Sequence, residues 1–286
     1  MSTVKAFITR HPVPTYFALA FAVSWAGVLL VVGPGGIPGT VERFMTVGPV
    51  MYLAMLAGPS VAGLLMTGLV SGRAGFRELL ARLLKWRVDG RWYAVALLTA
   101  PLLVTAVSLA LSLLSTEFLP AILTTDDKAR QLLSGLVAGL MVGIFEEIGW
   151  TGFAIPRLRL RYGVLSTGLI VGLLWGAWHF LLFWESGSFF GALALALLLV
   201  RLFSWLPAYR VLMVWVYDRT GSLLVAMLMH ASLVASQLIL MPLPLSAVPL
   251  LTSILGWAAA LWAVVTAIAV ANSGQLSRQP LRRRVA

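Results

Sequence analysis

Apolar runs long enough to cross a bilayer recur along the whole chain, and they leave few architectures open. Hydrocarbon offers no partner for backbone N–H and C=O groups, so a spanning segment must satisfy them internally. A helix does this with about 20 apolar residues. Such runs cover about 16–32, 47–70, 92–114, 132–156, 165–183, 222–241 and 250–271, with a broken stretch at 189–217. The last reads as one long interrupted helix, or as a helix plus a short surface helix. The chain is 60% hydrophobic and 11% charged, with a mean hydropathy of +0.95. Soluble domains average about 25% charged residues, so this composition belongs to an integral membrane protein.

The segments between the runs are legible too. Residues 1–13 form a short polar start, and no cleavable signal peptide is expected. The breaker run Gly33-Pro34-Gly35-Gly36 closes the first span, Gly58-Pro59 predicts a kink in the second, and Thr116–Arg130 reads as a loop. Pro242, Pro244 and Pro249 mark the turn before the last span. Residues 73–91 differ in kind. Phe76, Leu79, Leu80, Leu83 and Leu84 recur at helical spacing while Arg77, Arg82, Lys85 and Arg87 take other faces, which predicts an amphipathic helix on the membrane surface.

The expected fold class is therefore all-α. It is a polytopic membrane helix bundle of about eight transmembrane helices plus an amphipathic surface helix, in a single domain over 1–286. No internal repeat suggests an inverted transporter architecture.

The net charge of +11 invites a nucleic-acid partner, but the basic residues lie in short stretches between apolar spans. That pattern is a topology signal. With eight spans and both termini cytoplasmic, 18 of the 21 basic residues fall inside, Arg201, Arg210 and Arg219 among them. Arg43, Lys128 and Arg130 fall outside. The split follows the positive-inside rule. We expect a multi-pass cell-membrane protein of bacterial origin, in contact with lipid and with no nucleic-acid partner. Cysteine is absent, which excludes disulfides, thiolate metal sites and a Cys nucleophile.

Glu146 and Glu147 interrupt the fourth apolar run. A charged side chain at the centre of a membrane helix costs roughly 2.5–3.5 kcal/mol on insertion scales, so two in succession mark a functional site. Adjacent helical residues point about 100° apart. One carboxylate can face a reaction centre while the other fixes a neighbouring helix. Of three histidines, His179 and His230 lie in later apolar runs, at depths compatible with Glu146. A buried carboxylate beside an imidazole can activate water for attack on a peptide carbonyl. A second imidazole can stabilise the oxyanion or bind a metal. The H-E-x-x-H zinc protease motif and the G-x-S-x-G elbow are both missing.

At these residues the chain resembles the CPBP (Abi) family of intramembrane proteases, which includes type II CAAX prenyl endopeptidases and bacteriocin-processing enzymes. The family pattern is E-E-x-x-x-R, then F-x-x-x-H, then H-x-x-x-N. Glu146-Glu147 match the first pair, Trp175-x-x-x-His179 the second with Trp for Phe, and His230 the third. The resemblance extends over roughly 50–240, including Gly58-Pro59-Ser60 and Tyr217-Asp218-Arg219-Thr220-Gly221-Ser222.

The resemblance implies a catalytic core at 130–240 acting on a peptide or protein substrate. Glu146 and His179 would be the water-activating pair, His230 an oxyanion-side residue and Glu147 an accessory carboxylate. Thr151 stands where the family has Arg, and Val234 where it has Asn, with Ser232 or Ser236 as candidate substitute donors. No cofactor is certain. Glu146, His179 and His230 are also residue types that bind zinc, and the metal question stays open. Two further readings stand beside the protease. One is a catalytically impaired membrane protein of the same fold, acting in toxin immunity or as a scaffold. The other is a proton-coupled transporter built on the same Glu/His set.

Overall fold

Capping side chains set the starts of three helices, among them the one that carries both glutamates and the one that carries His230. Asp127 accepts from the Arg130 amide, Asp89 from Arg91 and Ser222 from Val225, each satisfying a donor that the first helical turn leaves over. The computed structural model describes residues 3–33, 41–185, 187–242, 245–272 and 276–277. Pro34-Gly35-Gly36, Pro244, the Arg282–Arg284 tail and the side chain of Arg43 lie outside the described residues.

Thirteen α-helices follow one another, with no strand among the described residues. They are α1 (Thr3–Arg10), α2 (Pro12–Val32), α3 (Val41–Leu83), α4 (Gly90–Ser112), α5 (Ala121–Thr124), α6 (Lys128–Gly149), α7 (Ile155–Leu158), α8 (Val164–Trp178), α9 (Phe180–Phe183), α10 (Ala192–Phe203), α11 (Leu206–Thr220), α12 (Leu223–Leu240) and α13 (Ala247–Ala271). A π-helical turn, Trp150–Ala154, joins α6 to α7. Taken with their continuations, seven segments are long and apolar enough to cross a membrane. The eighth apolar helix, α8, has only 15 residues. That is about 22 Å at 1.5 Å per residue. The all-α membrane bundle stands; of the eight expected spans seven are long enough among the described residues, and α8 falls short.

Several local expectations need correction. The polar start forms α1 over most of its length. Inside α3 the backbone leaves helical torsion angles at Gly72 (φ 57°, ψ −145°) and not at Gly58-Pro59. Gly58 is held tightly against α2, where an added Cβ would overlap Ala20 O and Ser24 Oγ. Gly72 alone can adopt the positive φ that turns the chain out of the span. The amphipathic stretch is therefore the continuation of α3 beyond Gly72, and it ends at Leu83, with 84–89 as a linker. Leu79 is its inward residue, packed on Leu223 and Met227, while Phe76 and Leu80 are exposed. Thr116–Arg130 contains a 3₁₀ turn, α5 and the start of α6. The expected fifth span breaks at His179, between α8 and α9. The awkward sixth stretch is a long helix broken near Trp205, α10 plus α11.

Two helix pairs bring the polar residues together. On α6, Gly135, Gly139 and Gly143 recur every four residues and face α12. A Cβ on Gly139 would stand 2.5 Å from Ala231 O, and one on Gly143 2.5 Å from Met227 O. On α8, Gly168 and Gly172 do the same against α11, with a Cβ reaching 2.5 Å from Val211 Cα and Pro207 Cα. Helices in lipid gain no hydrophobic drive from association, so close backbone approach through small residues is what packs them. The first contact sets Glu147 against His230, and the second sets Arg210 against Trp175.

Candidate active site

Both glutamates are buried in α6, and each finds a different set of partners, as the angle between neighbouring helical side chains requires. Glu146 Oε2 accepts from Trp150 Nε1 at 3.0 Å and from Trp175 Nε1 at 2.7 Å. Trp150 lies one turn further along, at the start of the π turn, and Trp175 comes from α8. Two indole N–H groups thus hold one carboxylate oxygen. The other makes no hydrogen bond among the described residues, and the side chain lines a cavity of about 690 Å³.

The histidines line the same cavity. His179 sits at the break between α8 and α9, with Nδ1 2.8 Å from Trp175 O. A carbonyl can only accept, so Nδ1 carries the proton and Nε2 keeps its lone pair. His230, on α12, points Nδ1 at Glu147 Oε1 across 2.7 Å. The carboxylate accepts there, so again Nδ1 is the donor. Trp175 ties the group together. Its ring meets His179 edge-on at 5.4 Å and His230 at 5.1 Å, and Arg210 lies 4.1 Å over its face.

Glu147 stands behind this surface and does not line the cavity. Oε1 accepts from Arg210 Nη1 at 2.8 Å as well as from His230, while Oε2 accepts a short bond from Thr151 Oγ1. Thr151 thus keeps a hydrogen bond to the motif carboxylate, and a guanidinium reaches that carboxylate from α11. Arg210 is fully buried. Counting it as a charge at the inner face was wrong, and the reason is visible in its surroundings, Leu-Pro-Ala-Tyr-Arg-Val-Leu-Met-Val. The rule that singles out a charge in an apolar helix applies to it as it does to the glutamates.

The cavity walls are apolar, supplied by Leu53, Met55, Met141, Trp178 and Leu206 among others. Val234 is one of them. Ser232 and Ser236 cannot stand in for the amide the motif places there. Their hydroxyls donate to Leu97 O and Ser232 O respectively, and neither lines the cavity. Gln237, unremarked in the sequence, does line it from the same helix. Among the described residues no three His, Cys, Asp or Glu side chains are grouped so as to hold a metal ion. Both His Nδ1 atoms and one Glu146 oxygen are already engaged within the protein. These bonds orient the rings and leave each Nε2 and the second Glu146 oxygen without a hydrogen bond among the described residues.

Comparison with known proteins finds a family match over this region. Residues 128–236 match the family model described as type II CAAX prenyl endopeptidase Rce1-like. Over 50 residues the chain is 36% identical to the CAAX prenyl protease 2 of Methanococcus maripaludis, a stretch covering 18% of each protein. The segment that carries Glu146, Glu147, His179 and His230 is thus similar to the Rce1-like CAAX proteases, the family read from those residues in the sequence.

Proposed function

We propose that the protein is an intramembrane endopeptidase in which Glu146 and His179 activate water. The observation that carries this reading is the convergence of Glu146, His179 and His230 on one largely apolar cavity, with Glu146 oriented by two indole donors. Water sits between the free Glu146 oxygen and the Nε2 lone pair of His179. Glu146 takes its proton as oxygen attacks the scissile carbonyl carbon. The oxyanion develops toward His230, whose Nδ1–H is fixed by Glu147 and whose Nε2, when protonated, donates to it. Glu146 then returns the proton to the amide nitrogen, and the C–N bond breaks.

The relative's name attaches prenylated CAAX proteins to that archaeal enzyme. A cavity of about 690 Å³ with apolar walls suits a peptide bearing an apolar or lipid-modified side chain, which we take as the substrate class here. The test is cleavage of prenylated and unprenylated peptides by the protein in proteoliposomes. Glu146→Gln keeps the shape and removes the base, and should lower turnover by about 10²-fold or more. Undiminished cleavage by Glu146→Gln would end the mechanism.

One observation favours a second reading, a non-catalytic protein of this fold in toxin immunity or scaffolding. Val234 presents a methyl-bearing wall where the motif places an amide. Absence of cleavage in wild type, with a bound peptide retained, would favour it.

A further inference from the structure

We propose that the protein binds the phosphate of an anionic membrane lipid in a second pocket, which shares no lining residue with the candidate active site. The pocket, of about 260 Å³, lies where the linker after α3 meets the start of α4 and the end of α11. Lys85, Arg87, Arg91 and Arg219 line it, with Asp89 as the one acidic member. Asp89 pairs with Arg91 at 3.2 Å. Lys85, Arg87 and Arg219 pair with no carboxylate among the described residues. Three cations thus line the pocket beyond the Asp89–Arg91 pair, with no carboxylate of their own.

The geometry shows a concave site as well as a charged surface. Lys85 Nζ folds over the end of α11, 3.2 Å from where a Cβ on Gly221 would stand. Ser222 Oγ donates to Lys85 O at 2.7 Å and holds the linker backbone against α12. Arg219 is fixed by its Nη2 donating to Asn272 Oδ1 at 3.1 Å, while its Nε is buried with no hydrogen-bond partner among the described residues. A phosphate oxygen is an acceptor of the right charge for the cations that line the pocket.

The neighbours argue for a lipid as the source of that phosphate. Leu84 and Trp86, beside Lys85, are 63% and 61% exposed. Tryptophan at the end of a membrane helix sits at headgroup level, and exposed leucine there meets acyl chain. Arg87 lies 5.0 Å over the Trp86 ring, so charge and apolar surface are presented side by side. Basic pockets between membrane helices are suited to anionic headgroups, each cation near the surface being worth about fivefold in affinity.

The full chain, purified in a neutral detergent, would be titrated with phosphatidylglycerol, with phosphatidylcholine and with inorganic phosphate, and lipid retention followed by native mass spectrometry. Wild type should retain one phosphatidylglycerol in preference to phosphatidylcholine. K85Q/R87Q should weaken that retention by about 25-fold, and R219Q should weaken it too. R73Q/R77Q, on the same basic stretch outside the pocket, should leave it unchanged. Both double variants alter exposed side chains, so folding is checked by an unchanged melting midpoint in lipid-free detergent. Equal loss in the control pair, or no preference for the anionic lipid, would overturn the site. Displacement of the lipid by inorganic phosphate at equal concentration would overturn the lipid as its source.

Discussion

At the scale of single residues, Glu147 has more hydrogen-bond partners than either histidine, and of these only His230 lines the cavity. Its two oxygens take up Arg210, His230 and Thr151 in a space closed to solvent. Removing one side of a buried ion pair leaves the other charge uncompensated, at a cost of roughly 3–5 kcal/mol. Arg210→Met should therefore destabilise the protein by about that amount, read from denaturant titration in micelles, and should release His230 from its fixed orientation. Arg210→Met together with Glu147→Gln removes both charges and should recover much of the stability without recovering activity. A different outcome is expected at Val234, on the cavity side. Val234→Asn adds a donor one turn from His230, on the cavity face where the proposed mechanism puts the oxyanion. One such donor is worth about 10²-fold in well-studied hydrolases. Cleavage should rise toward that factor, and a variant no faster than wild type would argue against His230 as the oxyanion-side residue.

Among the elements, α6 and α12 determine whether the site exists. Their contact runs through Gly135, Gly139 and Gly143, and at Gly139 the nearest obstacle to a side chain is backbone, which cannot rotate aside. Gly139→Leu should push the helices apart and cost roughly 1–3 kcal/mol of stability, as overpacking does. It should also abolish cleavage, because Glu147 then no longer reaches His230. Gly90→Ala, where nothing stands within 4 Å, is the matched control and should be silent. Melting and peptidase assays on the pair separate a packing effect from a general intolerance of substitution. The π turn at Trp150–Ala154 belongs to the same scale. It begins three residues after Glu147, and from it Trp150 donates its indole N–H back to Glu146. Such turns inside helices recur at functional sites.

For the whole molecule, the distribution of charge argues for orientation. We propose that both termini face the cytoplasm, since the eight-span arrangement puts nearly all basic residues on one side, apart from buried Arg210 and from Arg201, which pairs with Glu185 toward the end of its segment opposite Arg219. Reporter fusions after Arg161 and at the C-terminus should both read inside, and a fusion in 115–127 outside. An outside reading after Arg161 would reverse the assignment. Arg159 also shows why such counts are only a guide. It is buried in an ion pair with Asp218 at the end of α11, which locks α7 to α11 and contributes to packing as well as to topology.

The membrane class, the helical content, most span positions and the four candidate site residues were legible in the sequence. Each depends on a local cost that a linear pattern records, the price of placing polar groups in hydrocarbon. The glycine repeats of α6 and α8 were present in the same text, but a glycine every four residues says nothing about which helix lies opposite. The partner of Glu147 was likewise hidden. Sixty-three positions separate Glu147 from Arg210, and only the seating of α8 on α11 and α6 on α12 brings guanidinium, carboxylate and imidazole within 3 Å. The break at His179 and the turn at Gly72 are decided by the same packing. Helical propensity and hydrophobic period run straight through the first, and at the second glycine permits a turn without requiring one. Local chemistry in the sequence determined which residues had to be buried together, and the close approach of particular helices decided which of them touch.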